Sequence, residues 1–189
     1  MVKQGETADR IRVKDKFFRI YLHREKIAEI VEGLASVIDH DYAGKLPLML
    51  GILNGAFIFA SDLVRKMRIP CEISFVKYAS YKGMESGGTI NSLIGLNESI
   101  KGREVIIVED IVDTGHTIAK LLDDLKQYEP ASVRIACFCY KKEAFTENFT
   151  IDYCGLEIPD LFVVGYGLDY DGAGRNFPDI YQLDNTKLK

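Results

Sequence analysis

The 189-residue chain is 47% hydrophobic, which is enough to build the buried core of one globular domain. Its formal net charge of −4 at pH 7 excludes a general attraction to nucleic acid or to anionic membranes, so any anion site must be local. The charged N-terminal segment lacks the apolar run of a secretory signal, and Pro47, Gly51 and Gly55 interrupt the longest apolar stretch before it could span a membrane. We therefore expect a cytoplasmic protein with a single domain over residues 1–189.

Apolar periodicity in the first half of the chain predicts alternating helices and strands. Residues 23–40 carry apolar side chains at helical spacing and predict an amphipathic helix. The short apolar run LMLGIL, residues 48–53, is typical of a buried parallel strand. The segments AFIFASDLVRKM (56–67) and CEISFVKYASY (71–81) are predicted to form the next helix and strand.

The second half continues this alternation after a glycine-rich segment. Residues 81–91, YKGMESGGTIN, contain three glycines and little apolar content, which indicates a mobile loop. GREVIIVED (102–110) and TIAKLLDDLKQY (117–128) predict a strand and a helix, and ASVRIACFCY (131–140) and LFVVGYGLDY (161–170) predict further strands. The alternation implies βαβ units and a parallel sheet, whose ligands bind at the carboxyl ends of the strands.

Three carboxylates follow the clearest strand, beside a segment suited to a phosphate. Glu109, Asp110 and Asp113 precede Thr114–Thr117, a small and hydroxylated run that opens a helix. Two acids after an apolar strand are also typical of the magnesium-holding strand of nucleotide triphosphatases, but the GxxxxGK[ST] loop of those enzymes is absent. A helix N-cap explains Asp113 alone. A sugar phosphate explains all of these residues, because carboxylates accept from ribose hydroxyls, backbone amides hold the phosphate, and a third carboxylate can move a proton.

The stretch VIIVEDIVDTGHT, residues 105–117, resembles the phosphoribosyl pyrophosphate signature of the type I phosphoribosyltransferases. LNGAFIFASDL, SY, YKK and EIPDLFVVGYGLDYDGAGRNFPDI follow the order and spacing of the hypoxanthine-guanine phosphoribosyltransferases, from about Pro47 to Tyr181. This resemblance implies an α/β fold with a central parallel sheet flanked by helices, a small hood built from terminal segments, and a mobile lid loop at about residues 80–91. It also implies purine salvage, in which hypoxanthine or guanine and phosphoribosyl pyrophosphate give IMP or GMP and pyrophosphate.

The resemblance implies a role for each residue at the strand end. Glu109 and Asp110 would bind the ribose hydroxyls, and Asp113 would lie near N7 of the purine as the catalytic base or as a hydrogen-bond acceptor. His116 would either add a donor to the 5'-phosphate or point into solvent. The residues implied to surround the 5'-phosphate are Asp113, Thr114, Gly115, His116 and Thr117.

The resemblance also implies a purine pocket. Lys141 would donate to the exocyclic O6 of the base, and an ammonium, which has donors only, suits a 6-oxo group and leaves the 6-amino group of adenine unmatched. Phe162 would stack on the base and the Val163 backbone would contact its N1 and C2 edge, although on pattern alone both residues would be core. Asp169 would border the purine and hold a Mg²⁺ ion that carries the pyrophosphate. The implied magnesium ligands are Glu109, Asp110 and Asp169.

The remaining motif residues are implied to bind pyrophosphate or to begin the lid. The residues implied to bind pyrophosphate are Leu53, Asn54, Gly55 and Arg175, with a cis peptide between the first two. Asn54 departs from the leucine-lysine-glycine of the family, so an ammonium is missing from this loop. Ser80 and Tyr81 match the start of the lid, whose closure would exclude water.

Two alternatives to hypoxanthine-guanine salvage remain open from the sequence. One is a related transferase that prefers xanthine or another base. The other is a non-catalytic regulatory protein with this fold that senses the sugar pyrophosphate and binds nucleic acid, although the chain has no dense basic cluster. The resemblance implies small-molecule substrates and a homodimer or homotetramer, with neither nucleic acid nor membrane as a partner.

Overall fold

The computed structural model describes residues 9–80, 90–94 and 99–185. Within these ranges the helices are α1 (Arg24–Asp41), α2 (Phe57–Lys66) and α3 (His116–Lys126). The strands are β1 (Arg10–Val13), β2 (Lys16–Leu22), β3 (Leu48–Leu53), β4 (Glu72–Ser80), β5 (Ile90–Ile94), β6 (Glu104–Val112), β7 (Ser132–Tyr140), β8 (Tyr153–Glu157), β9 (Val163–Val164) and β10 (Ile180–Leu183). Among the described residues, no helix combines the length and the apolar character needed to cross a bilayer.

A six-stranded sheet in the order β5-β4-β3-β6-β7-β8 forms the centre of the molecule. The strands β4, β3, β6, β7 and β8 are parallel, and β5 pairs antiparallel with β4 at the edge. Because successive residues of a strand point to opposite faces, Ile106 packs with α1 and α2 while Ile107 packs with α3. Helices thus cover both faces, which explains why β3 is apolar throughout its length.

A second, smaller sheet in the order β1-β2-β10-β9 forms the hood. All of its pairings are antiparallel, and they join the N-terminal hairpin to the C-terminal strand, with Phe18 opposite Leu183. Val13, Phe18, Val164 and Tyr181 form its buried core. The fold expected from the resemblance is therefore confirmed, with five parallel central strands and a hood made of terminal segments.

The helices predicted from periodicity are confirmed to within one or two residues, but the prediction for residues 161–170 is wrong. Only Val163–Val164 is a strand there, and it pairs antiparallel with β10 in the hood rather than extending the central sheet. Gly165 and Gly167, with φ of 98° and 99°, turn the chain out of the extended conformation. Strand β8, which was not predicted, completes the central sheet instead.

The lid was predicted at about residues 80–91, and most of it lies outside the described residues. Ser80 ends β4 and Ile90 begins β5, and the two residues are paired across the antiparallel edge of the central sheet. The residues at the two ends of this segment therefore lie in adjacent strands. Tyr81 falls outside the described residues.

Candidate active site

A cavity of about 350 Å³ opens at the carboxyl ends of β3 and β6, beside β9 of the hood. Parallel strands place their carboxyl ends at one edge, so residues distant in the chain converge there. The predicted site residues that line this cavity are Leu53, Asn54, Gly55, Glu109, Asp110, Asp113, Thr117, Lys141, Phe162, Val163, Asp169 and Arg175. Thr114, Gly115 and His116 line an adjoining cavity of about 100 Å³ with Asp113 and Thr117.

The acid pair lies at the end of β6. Asp110 is only 6% exposed, and its Oδ1 accepts a hydrogen bond of 2.9 Å from the backbone N–H of Ile111. Glu109 has an enclosed Oε2 that finds no hydrogen-bond partner in the part of the chain that the structure describes. Burial, and then the charge of Asp110, raise the pKa of Glu109 well above its usual range. Burial also raises the pKa of Asp110, against the opposing effects of Glu109, the Ile111 N–H and Arg175. Both carboxylates therefore favour a partner that donates hydrogen bonds or carries positive charge.

The loop after β3 packs directly on this acid pair. The peptide between Leu53 and Asn54 is cis, as the resemblance implied. Gly55 lies against Asp110 so closely that a Cβ atom at this position would overlap the carboxylate. Asn54 is exposed at the cavity wall. The loop thus presents its backbone and an amide side chain beside the acids.

Lys141 follows β7 and joins two carboxylates from different loops. Its Nζ donates to Oδ2 of Asp113 and to Oδ1 of Asp160, each at 2.9 Å. The lysine is only 7% exposed. Burial lowers the pKa of Lys141, but the hydrogen bonds to Asp113 and Asp160 outweigh this effect and the net pKa is raised. Lys141 therefore stays charged at the cavity wall.

The turn that opens α3 begins with Gly115 in the left-handed conformation, with φ of 90°. This conformation favours glycine, and a Cβ added here would lie 2.6 Å from the ring of Phe145. The side chain of His116 is 60% exposed, with its Nε2 3.4 Å from Oε1 of Glu147. The helix N-terminus offers the backbone amides that an anion needs, while His116 faces the Glu147 carboxylate.

The loop from Asp169 to Arg175 forms another wall of the cavity. Arg175 Nη2 contacts Asp169 Oδ1 at 2.6 Å, and Arg175 Nη1 donates to the carbonyl of Gly167 at 2.6 Å. The hairpin turn between β1 and β2 holds the middle of this loop, because Tyr170 donates to Asp15 at 3.0 Å and Lys14 pairs with Asp171. The N-terminal hairpin thus supports the wall that carries Asp169 and Arg175.

Phe162 and Val163 differ in burial. Val163 is 6% exposed and belongs to the core, as its pattern indicated, whereas Phe162 is 46% exposed at the cavity. The Phe162 ring packs edge-on against Tyr170, with ring centroids 5.8 Å apart, and Phe18 lies behind it at 6.2 Å. Lys16 Nζ also lies over this ring, 5.9 Å from its centroid, and the exposed part of the ring borders the cavity.

Residues 19–171 match the family described as the phosphoribosyl transferase domain. The chain belongs to the phosphoribosyltransferase family. It is 39% identical over 175 residues to the hypoxanthine-guanine phosphoribosyltransferase of Aquifex aeolicus strain VF5, a match that covers 92% of this chain and 98% of that protein. It is 40% identical over 163 residues to the enzyme of the same name from Streptococcus pneumoniae strain R6, with 86% and 91% covered.

Solved structures agree with this assignment. A hypoxanthine phosphoribosyltransferase from Staphylococcus aureus has a TM-score of 0.83 and 35% identity over 88% of this chain and 91% of that one. The Trypanosoma cruzi enzyme, as a K68R mutant in a ternary substrates complex, has a TM-score of 0.82 and 34% identity over 88% and 95%. Both neighbours are phosphoribosyltransferases, so the fold and the family agree.

Two residues of this phosphoribosyltransferase site were not identified from the sequence. Asp160 lies within the recognised segment EIPDLFVVGY, but its contact with Lys141 joins positions 19 apart in the chain. Tyr78 lines the cavity from β4 and donates to Oδ2 of Asp124 at 3.0 Å, and burial, together with that carboxylate, raises its pKa. An acid two residues before Phe162, for which the resemblance implies a role, was a usable signal for Asp160, whereas Tyr78 in an ordinary strand pattern carried none.

Proposed function

We propose that this protein transfers the phosphoribosyl group of phosphoribosyl pyrophosphate to N9 of hypoxanthine or guanine, giving IMP or GMP and pyrophosphate. The observation that carries the proposal is the pair of Asp113 and Lys141, 2.9 Å apart on the wall of the cavity that Phe162 also lines. An acceptor beside a donor-only cation is complementary to the N7 and O6 edge of a 6-oxopurine. The names of the relatives from A. aeolicus and S. pneumoniae support the same substrates.

In this proposal each wall of the cavity binds a different part of the sugar pyrophosphate. Glu109 and Asp110 accept hydrogen bonds from the ribose hydroxyls, and the Thr114–Thr117 turn holds the 5'-phosphate through backbone amides and hydroxyls. The Leu53–Gly55 loop and Arg175 hold the pyrophosphate, the latter through a planar fork of donors. Each group is placed by a different strand end, so catalysis rests on positioning and electrostatics.

The reaction needs one proton to leave the purine. As N9 forms its bond to the anomeric carbon, the bond from that carbon to pyrophosphate breaks, through a transition state with oxocarbenium character. Asp113 accepts the proton, or a hydrogen bond, from N7, while Lys141 stabilises the negative charge that the base places on O6. Phe162 fixes the plane of the ring by stacking.

Magnesium fits the donors that this site presents. Glu109 has a buried oxygen without a partner among the described residues, and Asp110 is a second buried carboxylate beside it. Asp169 is already held by Arg175 and the Gly172 N–H, yet its oxygens keep further lone pairs. These oxygen donors suit Mg²⁺, which would neutralise charge on the sugar pyrophosphate and on the leaving pyrophosphate when bound.

We propose further that the protein acts in the cytoplasm as a homodimer or homotetramer. A solved neighbour from T. cruzi, 33% identical with a TM-score of 0.83, was studied for the role of its C-terminal region in oligomeric state and activity. Sedimentation equilibrium at micromolar concentration distinguishes the two assemblies by mass, and a monomer at all concentrations would contradict both.

The test is a comparison of hypoxanthine, guanine, xanthine and adenine as acceptors with phosphoribosyl pyrophosphate and Mg²⁺. We expect kcat/KM for hypoxanthine or guanine to exceed that for adenine by at least about 100-fold, because adenine leaves the Lys141 ammonium unmatched. Removal of Mg²⁺ by EDTA is expected to abolish turnover, and added Mg²⁺ to restore it. Faster turnover of adenine, or no transfer to any of these bases, would contradict the proposal.

Xanthine is the second candidate base. The hypoxanthine-guanine-xanthine phosphoribosyltransferase of Tritrichomonas foetus is 34% identical to this chain over 169 residues. The same comparison decides between the candidates, since a kcat/KM for xanthine within about 10-fold of that for hypoxanthine would extend the proposed range. The regulatory alternative predicts binding of the sugar pyrophosphate without turnover, and the enzymatic names of the relatives favour catalysis.

A further inference from the structure

We propose that Asp160 is a positioning residue of the purine pocket. Its carboxylate holds the Lys141 ammonium against O6 of the base, while Asp113 accepts the proton of the purine. This role rests on the proposed function of the site. Neither the motif residues nor periodicity assigns Asp160 a function, and the proposal comes from the geometry around the lysine. The structure therefore adds a second carboxylate to the recognition of the 6-oxo group.

The donors of the ammonium are divided in a way that leaves room for one more acceptor. Lys141 has three N–H donors, of which one reaches Asp113 and one reaches Asp160, each at 2.9 Å. No third acceptor lies within hydrogen-bond distance among the described residues. Since Lys141 is 7% exposed, water can stabilise its ammonium only slightly. The hydrogen bonds to Asp113 and Asp160 therefore fix the direction of the third N–H donor.

Two carboxylates are needed because the proposed reaction removes the negative charge of one of them. When Asp113 accepts the N7 proton, its negative charge is lost and its hold on Lys141 weakens. Asp160 does not meet the reacting atoms and keeps its charge at that moment. It can therefore hold the buried ammonium in place through the step in which O6 needs it most.

The chain around Asp160 connects the lysine to the stacking residue. Ile158 is buried and its N–H donates to the carbonyl of Tyr140, which directly precedes Lys141, at 2.8 Å. A tight turn follows, in which the Leu161 N–H donates to the carbonyl of Pro159 at 2.7 Å. Phe162 comes next, so the segment that places the aromatic ring also places the carboxylate on the lysine.

The exposure of Asp160 makes the proposal testable without loss of the fold. Its side chain is 65% exposed, so replacing the carboxylate leaves no cavity and exposes no core. Glu157 provides a matched control three residues earlier. It is 57% exposed, and its ion-pair partner is Lys142, at 3.8 Å, rather than Lys141.

The experiment compares Asp160→Asn, Asp160→Glu and Glu157→Gln with the wild type by steady-state kinetics on the full chain. We expect Asp160→Asn, which keeps the shape and removes the charge, to lower kcat/KM for hypoxanthine about 10-fold, through a lower kcat as well as a higher KM. KM for phosphoribosyl pyrophosphate and the thermal midpoint should change little. Asp160→Glu should recover most of the loss, and Glu157→Gln should match the wild type.

Two outcomes would overturn the role of Asp160. One is an unchanged kcat/KM for hypoxanthine in Asp160→Asn. The other is an equal rise in both KM values, which indicates a general disturbance of the site. Absence of hypoxanthine conversion by the wild type would instead overturn the proposed function, and this role with it, before any variant is compared.

Discussion

Asp113 and Lys141 are in direct contact, and in the proposed function one accepts the proton of the base while the other recognises its O6. Asp113 is 50% exposed on its side chain and offers Oδ2 to the lysine, while Lys141 is almost wholly buried. In the proposed reaction the purine edge lies against both residues, so a proton that reaches Asp113 also changes the electrostatic surroundings of O6. The two residues therefore act as a unit, and their single substitutions should not be additive.

The first prediction concerns Asp113→Asn. An amide accepts a hydrogen bond but cannot take up a proton, so kcat should fall by about 10²-fold to 10⁴-fold. KM for phosphoribosyl pyrophosphate should stay within about threefold, because the ribose and phosphate contacts are left in place. Steady-state kinetics with hypoxanthine measures both values, with Asp123→Asn, an exposed carboxylate on α3, as the control. An Asp113→Asn variant with the turnover of the wild type would contradict the assigned mechanism.

At the residue scale, much of the site could be predicted because the motifs are contiguous. Glu109, Asp110 and Asp113 lie within five residues, and the resemblance supplied Lys141 and Phe162; the structure brings all of them to one cavity. Pattern alone placed Phe162 in the core, and neither pattern nor resemblance predicted the contact of Asp160 with Lys141. The exposure of Phe162 and this contact both depend on how separate loops meet, and no local pattern encodes such an arrangement.

At the element scale, the turn that opens α3 combines a helix start with the proposed site of the 5'-phosphate. Gly115 adopts φ of 90° and lies against Phe145, which packs in turn on Tyr140 at 5.5 Å between ring centroids. The turn is thus fixed by aromatic packing rather than by a side-chain N-cap. The turn lines the adjoining cavity, so in the proposed function it is already in place for the 5'-phosphate, which lowers the entropic cost of binding.

We predict that Gly115→Ala weakens binding of the sugar pyrophosphate. The new Cβ would strain the left-handed backbone and lie 2.6 Å from Phe145, so the turn must move. KM for phosphoribosyl pyrophosphate should rise about 10-fold, with a free energy of unfolding about 1–2 kcal/mol lower. Gly102→Ala is the matched control, since Gly102 has φ of 71° with no atom within 4 Å of an added Cβ. Equal KM values in the two variants would show that the Phe145 contact does not set the turn.

Periodicity predicted β3, β4, β6 and β7 of the central sheet and its helices, but it missed β8 and predicted the hood poorly. Strand β6 begins with a buried apolar run, and α1 repeats its apolar residues at helical spacing. Local sequence was therefore sufficient to predict both elements. The segment at β9 has the same apolar character, but only two of its residues are extended because positive-φ glycines follow. Apolar composition does not specify which sheet a strand joins, and that depends on a partner elsewhere in the chain.

At the scale of the whole molecule, the hood depends on contacts between the two ends of the chain. Strand β2 pairs with β10, and Asp179, directly before β10, reaches the start of α1. The N-cap residue of α1, His23, makes no side-chain capping bond. Asp179 replaces it by accepting from the Arg24 backbone N–H at 2.8 Å and from its guanidinium at 2.7 Å. A cap supplied from 155 residues away cannot be read from local sequence.

The last prediction concerns the pH dependence of this connection. Asp179 is 0% exposed, and although burial raises its pKa, the hydrogen bonds from Arg24 outweigh burial and the net pKa is lowered. A carboxyl whose pKa is lower in the folded state stabilises the protein above its unfolded pKa of about 4, and this stabilisation is lost as the pH falls through the folded value. Asp179→Asn should therefore lower the free energy of unfolding by about 1–3 kcal/mol at pH 7, and by progressively less below pH 4. Urea unfolding across this range measures the difference, with Glu29→Gln, an exposed acid of the same helix, as the control. A difference that is constant from pH 7 to pH 3 would show that the charge of Asp179 does not hold the hood to α1.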